Sequence, residues 1–162
     1  MPHLPECGTF VFSRLPLREL STPADAQPVV EVQQRGGALA LLPVDFPTPS
    51  KGITQWLDSF TQLNEAASAH KDSTIVVIGD CNSVREHEPM RRLLSDTGLL
   101  DAEAAGAGWT PTFPSSTWHP PLIGLDHALI SPELTASHAK TEGIAGQPHR
   151  AFVVQLASTQ GG

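Results

Sequence analysis

Two pairs of polar residues stand where apolar strand patterns stop or start, and their types suit acid–base or metal chemistry. Asp80 and Asn82, in Gly79-Asp80-Cys81-Asn82, directly follow the β-branched run Ile75–Ile78, so a core strand already fixes their backbone. A carboxylate there can hold Mg²⁺ or orient a water, and a carboxamide can donate to a phosphoryl oxygen without adding negative charge. The plain alternative is a strand-ending turn, because Gly, Asp and Asn are ordinary turn formers. Asp126 opens the run Leu125–Ile130, and His149 stands at the mouth of the last apolar segment. A carboxylate that holds an imidazole in one tautomer is a recurrent acid–base device, so Asp126 with His149 is the second candidate pair. Unrelated polar residues at two strand ends are its plain alternative.

Other polar residues carry less. His127 follows Asp126 in a strand, where alternation sends the two side chains to opposite faces, so only one of them can face a shared site. His119, His127, His138 and His149 lack the close spacing of paired zinc ligands, and Cys7 and Cys81 do not join them. Gly106-Ala107-Gly108 is followed by neither Lys-Ser/Thr nor a helical pattern, so it is no phosphate cradle. Arg85, Arg91 and Arg92 follow the Asp80 loop; Arg85 is a weak candidate for steering a phosphate, although exposed arginines are usually just solvated.

The elements that must position these residues are legible as periodicities. Strands are expected over Thr9–Ser13, Val29–Gln33 and Ala38–Val44, the last with Pro43 hinting at an edge or an end. Ser50 is a plausible helix N-cap. Ile53, Trp56, Leu57, Phe60 and Leu63 then recur at helical intervals, giving one apolar stripe that ends near His70. Ile75–Ile78 reads as a central strand. Pro89, Met90, Leu93, Leu94 and the stop at Gly98 give a short helix. Residues 106–121 read as loop, and Leu125–Ile130, Ala136–Glu142 and Ala151–Ala157 as three closing strands. Strands outnumber helices, which are inserted singly, so the class is α/β or α+β with a mixed or largely antiparallel sheet.

Composition narrows the function classes. The 162 residues suit one domain, expected to span 1–162 with tails at 1–7 and 158–162. Seventeen acids against ten Lys and Arg give a net charge of −7, which leaves no basic footprint for nonspecific nucleic-acid binding. Nucleic acid is therefore a disfavoured partner, although cations can supply local positive charge at an acidic protein's site. No apolar run is long enough to span a membrane, and the start lacks the pattern of a signal peptide. Two cysteines form at most one bridge, and tyrosine is absent.

Taken in order, six segments resemble the endonuclease/exonuclease/phosphatase superfamily, in particular a bacterial subgroup of it. They are Gly8–Leu17, Ile75–Asn82, Gly98–Ala102, Thr110–Pro114, Leu125–Ser131 and His149–Leu156. The resemblance implies a DNase I-like β-sandwich with flanking helices and divalent-metal-dependent hydrolysis of phosphoesters, with Mg²⁺ or Mn²⁺ as cofactor. It implies that Asp80, also a metal ligand, and Asn82 position the water and the scissile phosphate, and that Asp126 orients the catalytic His149. Departures accompany the match. The family's Ser-Asp-His reads Gln147-Pro148-His149, so Pro148 replaces a metal-contacting carboxylate. A segment that often carries a histidine reads Val44-Asp45-Phe46-Pro47, and the tyrosine that many relatives place near the phosphate has no counterpart. The opening strands, which hold an Asn and the Glu that binds Mg²⁺, have none before Gly8, so the expected architecture lacks them. Three expectations follow: an active hydrolase of unread substrate, a catalytically degenerate binding or scaffold domain, or a reading frame whose upstream DNA encodes the remaining strands. An exposed sheet edge or apolar face should then promote self-association or leave the fold marginally stable.

Overall fold

The computed structural model describes residues 9–20, 27–34, 37–115 and 118–159. Eight strands and two α-helices follow in the order β1 (Leu17–Leu20), β2 (Val29–Gln34), β3 (Gly37–Asp45), α1 (Ile53–Ala69), β4 (Thr74–Asp80), α2 (Glu88–Thr97), β5 (Leu100–Asp101), β6 (Asp126–Ile130), β7 (Leu134–Gly143) and β8 (Arg150–Ser158). Six strands form one mixed sheet in the order β1-β2-β3-β4-β6-β5, and β7 and β8 form a separate two-stranded ribbon. Only β3 and β4 run parallel within the large sheet, and α1 makes the crossover that a parallel pair requires.

Alternation divides the large sheet between two layers. Ala40, Leu42 and Val44 of β3, Ile75 and Val77 of β4 and Leu129 of β6 pack with Trp56, Phe60, Leu63, Met90 and Leu93 of the helices. On the other face Val76 and Ile130 meet Leu134 and Leu156, while Ala128 meets Ala136 and Phe152 of the ribbon. The molecule is thus an α/β sandwich of two sheets, with both helices on the outer face of the larger one. Small residues, Ala102, Ala128 and Ala136, let the ribbon approach closely beneath the middle of β6.

Several expected boundaries shift. The strand expected over Thr9–Ser13 forms after Pro16 instead, at Leu17–Leu20, where Leu17 and Leu20 register with Val32 and Val29. Cross-strand partners decide this, since the more β-prone residues Phe10 and Phe12 lie outside the ladder and are exposed. Helix α1 starts at Ile53, with Gly52 rather than Ser50 at its N-cap and no side-chain capping bond. Its buried stripe is Trp56, Phe60, Leu63 and Ala67, whereas Ile53 and Leu57 are exposed. Pro43 marks an end of pairing: the β2–β3 ladder extends to Leu41, while β3 continues beside β4 to Asp45. The stretch read as loop from 106 to 121 begins inside a π-helical turn, Glu103–Ala107, and its Phe113 forms an isolated bridge with Ile123 just beyond it. Of the expected C-terminal tail, Ser158 ends β8, and the Thr159 N–H donates to the Glu133 carbonyl at 2.8 Å. Residues 160–162 and the expected tail 1–7 lie outside the described residues.

Candidate active site

The register of β4 and β6 builds the centre of the site. Asp80, the last residue of β4, pairs directly with Asp126, the first of β6. Both lie on the face that carries Val76 and Ile130, so their carboxylates point toward the ribbon layer. His149 enters from that layer, immediately before β8, with its Nδ1 2.8 Å from Asp126 Oδ2 and 3.8 Å from Asp80 Oδ2. Three of the four residues expected from sequence thus converge from three different strands or strand ends. Potential ligand atoms of Asp80, Asp126 and His149 all lie within 4.8 Å of one another, and this is the one such cluster found among the described residues.

Backbone contacts hold this arrangement. The Thr112 hydroxyl accepts from the N–H groups of Leu125 and Asp126, at 3.1 and 3.3 Å, and its carbonyl accepts from the Arg150 N–H at 2.8 Å. The Ser115 N–H donates to the Pro148 carbonyl, and the Phe113 ring lies 5.1 Å from the His149 ring. The segment 110–115 therefore ties the start of β6 to the start of β8. Beside it opens a cleft of about 420 Å³, lined by Ile78, Asp126, Ile144, His149 and Phe152 among others.

Asn82 follows on a tight turn. Its φ of 45° is left-handed, a conformation that asparagine tolerates. The backbone N–H donates to Asp80 Oδ1 at 2.7 Å, and the side-chain amide donates to the Phe46 carbonyl at 2.7 Å and to Asp80 Oδ2 at 3.2 Å. Both amide hydrogens are thereby engaged, so Asn82 clamps the carboxylate of Asp80 and the end of β3, in place of the outward donation expected for it. Arg85 is exposed on the loop beyond. Gly79 makes the approach of β3 and β4 possible: its φ is 139°, and a Cβ there would sit 2.0 Å from the Val44 carbonyl oxygen.

Burial raises the Asp80 carboxyl from 3.8 to about 6. The Asn82 N–H opposes the rise, the Asp126 charge adds to it, His149 counters, and Asp45, its register partner in β3, adds a further push. Burial, with the charges of Asp80, Asp126 and Asp101, also pushes up the thiol of Cys81, which is free and wholly buried. His127, expected from alternation to face away from Asp126, lies on the opposite face of β6 in a buried polar pair. His127 Nδ1 is 2.9 Å from Asp101 Oδ2, and its Nε2 is 2.7 Å from the Ser83 carbonyl oxygen. Burial alone would lower the His127 pKa, but the hydrogen bond and charge of Asp101 and the Ser83 carbonyl raise it above the ordinary histidine value. Alternation announced that His127 faces away from Asp126; nothing in the spacing announced Asp101 as its partner.

A mixed sheet packed on a second layer, with an Asp–Asp–His cluster at their shared end, defines a DNase I-like protein. The chain belongs to the Endonuclease/Exonuclease/phosphatase family, whose sequence pattern matches residues 2–149. Comparison with curated proteins finds no match. Among solved structures, a functionally unknown conserved protein from Enterococcus faecalis V583 is similar, with a TM-score of 0.64 at 15% identity, over 85% of this chain and 60% of that one. The mannosyl-6-phosphatase Bt3783 of Bacteroides thetaiotaomicron VPI-5482 gives 0.62 at 14% identity, over 80% and 55%. TDP2 of D. rerio, solved with a single-stranded DNA product, gives 0.64 at 13% identity, over 88% and 69%. The chain thus spans between 55 and 60% of the length of the first three solved structures it matches. The family description joins nucleases and phosphatases, and Bt3783 is a phosphatase by its own description. In this chain no helix among the described residues is long and apolar enough to cross a membrane.

Proposed function

We propose that this chain hydrolyses phosphoesters, phosphodiesters in the first instance, with a divalent cation, Mg²⁺ or Mn²⁺, as cofactor. The observation that carries the reading is the meeting of Asp80, Asp126 and His149, three strand-end residues far apart in sequence, at one end of the sandwich. The donor chemistry fits such an ion. Two carboxylates stand directly opposite each other, a repulsive arrangement that a cation relieves, and their oxygens are the hard donors Mg²⁺ prefers. Asp80 is the principal ligand in this reading, with Asp126 beside it. His149 Nδ1 is already engaged by Asp126, so the imidazole is kept for proton transfer. When bound, the cation would offset the charge of the phosphate and polarise it toward attack.

The residues of the chain supply the rest. With its Nδ1 proton held by Asp126, neutral His149 is basic at Nε2, the nitrogen that can take a proton from an attacking water or hold one against a phosphoryl oxygen. Asp126 fixes the orientation of the ring. Asn82 holds Asp80 by two hydrogen bonds and so acts on the phosphate through that carboxylate. Arg85, exposed on the adjoining loop, attracts the anionic ester. The net charge of −7 disfavours a polyanionic nucleic acid relative to a small phosphoester.

A second reading, a domain of the same fold kept for binding or scaffolding, is favoured by two observations. Pro148 stands beside His149 without a donor, and both amide hydrogens of Asn82 are engaged internally. Assays on a generic phosphodiester and on plasmid DNA, with Mg²⁺, Mn²⁺ or EDTA, separate the two. Cation-dependent turnover abolished by EDTA is the expected result, and no turnover with either cation would favour the binding domain. The unit proposed is a single domain that associates with itself through the outer edge of β8, which among the described residues pairs only with β7.

A further inference from the structure

The His127–Asp101 pair takes no part in the chemistry above, yet the two side chains are only 4% and 2% exposed. Taking two charges out of water is costly, and apolar residues of the same volume often stabilise a fold as well or better. Stability alone therefore does not account for the pair, and its geometry does. The oxygens that face the ring, a carboxylate and a carbonyl, only accept, so His127 donates from both nitrogens.

What these bonds reach is the site from behind. Ser83 directly follows Asn82, and the Cys81 carbonyl on the other side accepts from Trp56 Nε1 at 3.1 Å. The turn bearing Asn82 is thus pinned at both flanks, by Trp56 and by His127. The second oxygen of Asp101 accepts from the Glu103 N–H at 2.9 Å, and Glu103 Oε1 accepts from the N–H and hydroxyl of Thr110, at 2.6 and 2.5 Å. Two residues on, Thr112 holds the backbones of Asp126 and Arg150. We propose that the buried His127–Asp101 pair is the positioning hub of the site: through Ser83 it sets the Asp80–Asn82 turn, and through Glu103 and Thr110 it sets the segment that places Asp126 and His149. His127 and Asp101 are accordingly positioning residues, and they do not touch substrate.

The kinetic part of this inference rests on the hydrolase reading; the structural part does not. Two double variants that both remove the buried charges test it. His127→Phe/Asp101→Asn fills the space without a donor for Ser83, whereas His127→Gln/Asp101→Asn offers an amide N–H in its place. Hydrogen exchange at the Asn82 amide, and kcat and KM on a generic phosphodiester with Mn²⁺, are the readouts. In the Phe variant, Asn82 exchange should accelerate about tenfold or more and kcat should fall about 10- to 100-fold, with KM changed by less than about threefold. The Gln variant should recover most of both. Unchanged Asn82 exchange in the Phe variant, or equal loss in the two variants, overturns the proposal. Should the Phe variant fail to fold, the single variant Asp101→Asn decides: Asn82 exchange should accelerate, and exchange equal to that of the wild type overturns the proposal. Absence of turnover by the wild type would refute the hydrolase reading, while the exchange results would still decide the positioning role.

Discussion

At the scale of single residues, the site is a compromise between like charges and partial burial. Asp80 has a folded pKa of about 6 against 3.8 for the free side chain, so its ionised form is disfavoured in the folded protein. In that interval the unfolded chain holds fewer protons than the folded one, and stability therefore falls as pH rises from about 4 to 7. The loss from this group is roughly 2–3 kcal/mol in metal-free buffer. Urea titrations across that range should show the decline in the wild type, whereas Asp80→Asn should lack it and be the more stable protein at neutral pH. A cation bound at the two carboxylates would relieve the same cost. Mg²⁺ or Mn²⁺ at about a hundred times its dissociation constant should raise the melting temperature by about 5–10 °C, and Asp80→Asn should remove the response. Sequence made these residues legible because each ends or begins an apolar run. It did not make legible that Asn82 would turn inward, since the Phe46 carbonyl that engages it arrives from β3, 36 positions earlier.

At the scale of elements, the ends of β3, β4 and β6 align because Gly79 lets two parallel backbones meet where a side chain cannot fit. Gly79→Ala places a Cβ against the Val44 carbonyl and imposes a φ that alanine avoids, so it should destabilise by more than about 4 kcal/mol, read as collapse of the thermal transition in circular dichroism. Strong periodicities foretold the elements well: α1, β4, α2 and the three closing strands fall where the apolar spacing puts them. The first strand lies at Leu17–Leu20 because its position depends on partners in β2, whereas Phe10 and Phe12 have the composition of a strand but lie outside that ladder. Likewise the two-residue β5 is too short to carry a pattern, although it delivers Asp101 to His127.

At the scale of the whole molecule, the described residues form one six-stranded sheet that carries Asp80 and Asp126 and one two-stranded ribbon. The outer edge of β8 offers nine residues with no proline and one charge, Arg150, and Val153 on it is 44% exposed. Such an edge invites pairing with another strand. Light scattering should detect concentration-dependent association, and Val153→Lys should reduce it without altering the melting transition by more than about 1 kcal/mol. The family match and the converging strand ends together make catalysis by the Asp126–His149 pair, assisted by a cation at Asp80, the central claim. Its most direct test is kcat for a generic phosphodiester with Mn²⁺, measured on the wild type and on His149→Ala. Loss of about 10²- to 10⁴-fold in the variant, at a KM close to that of the wild type, is the predicted result; equal rates for the two proteins would contradict the account.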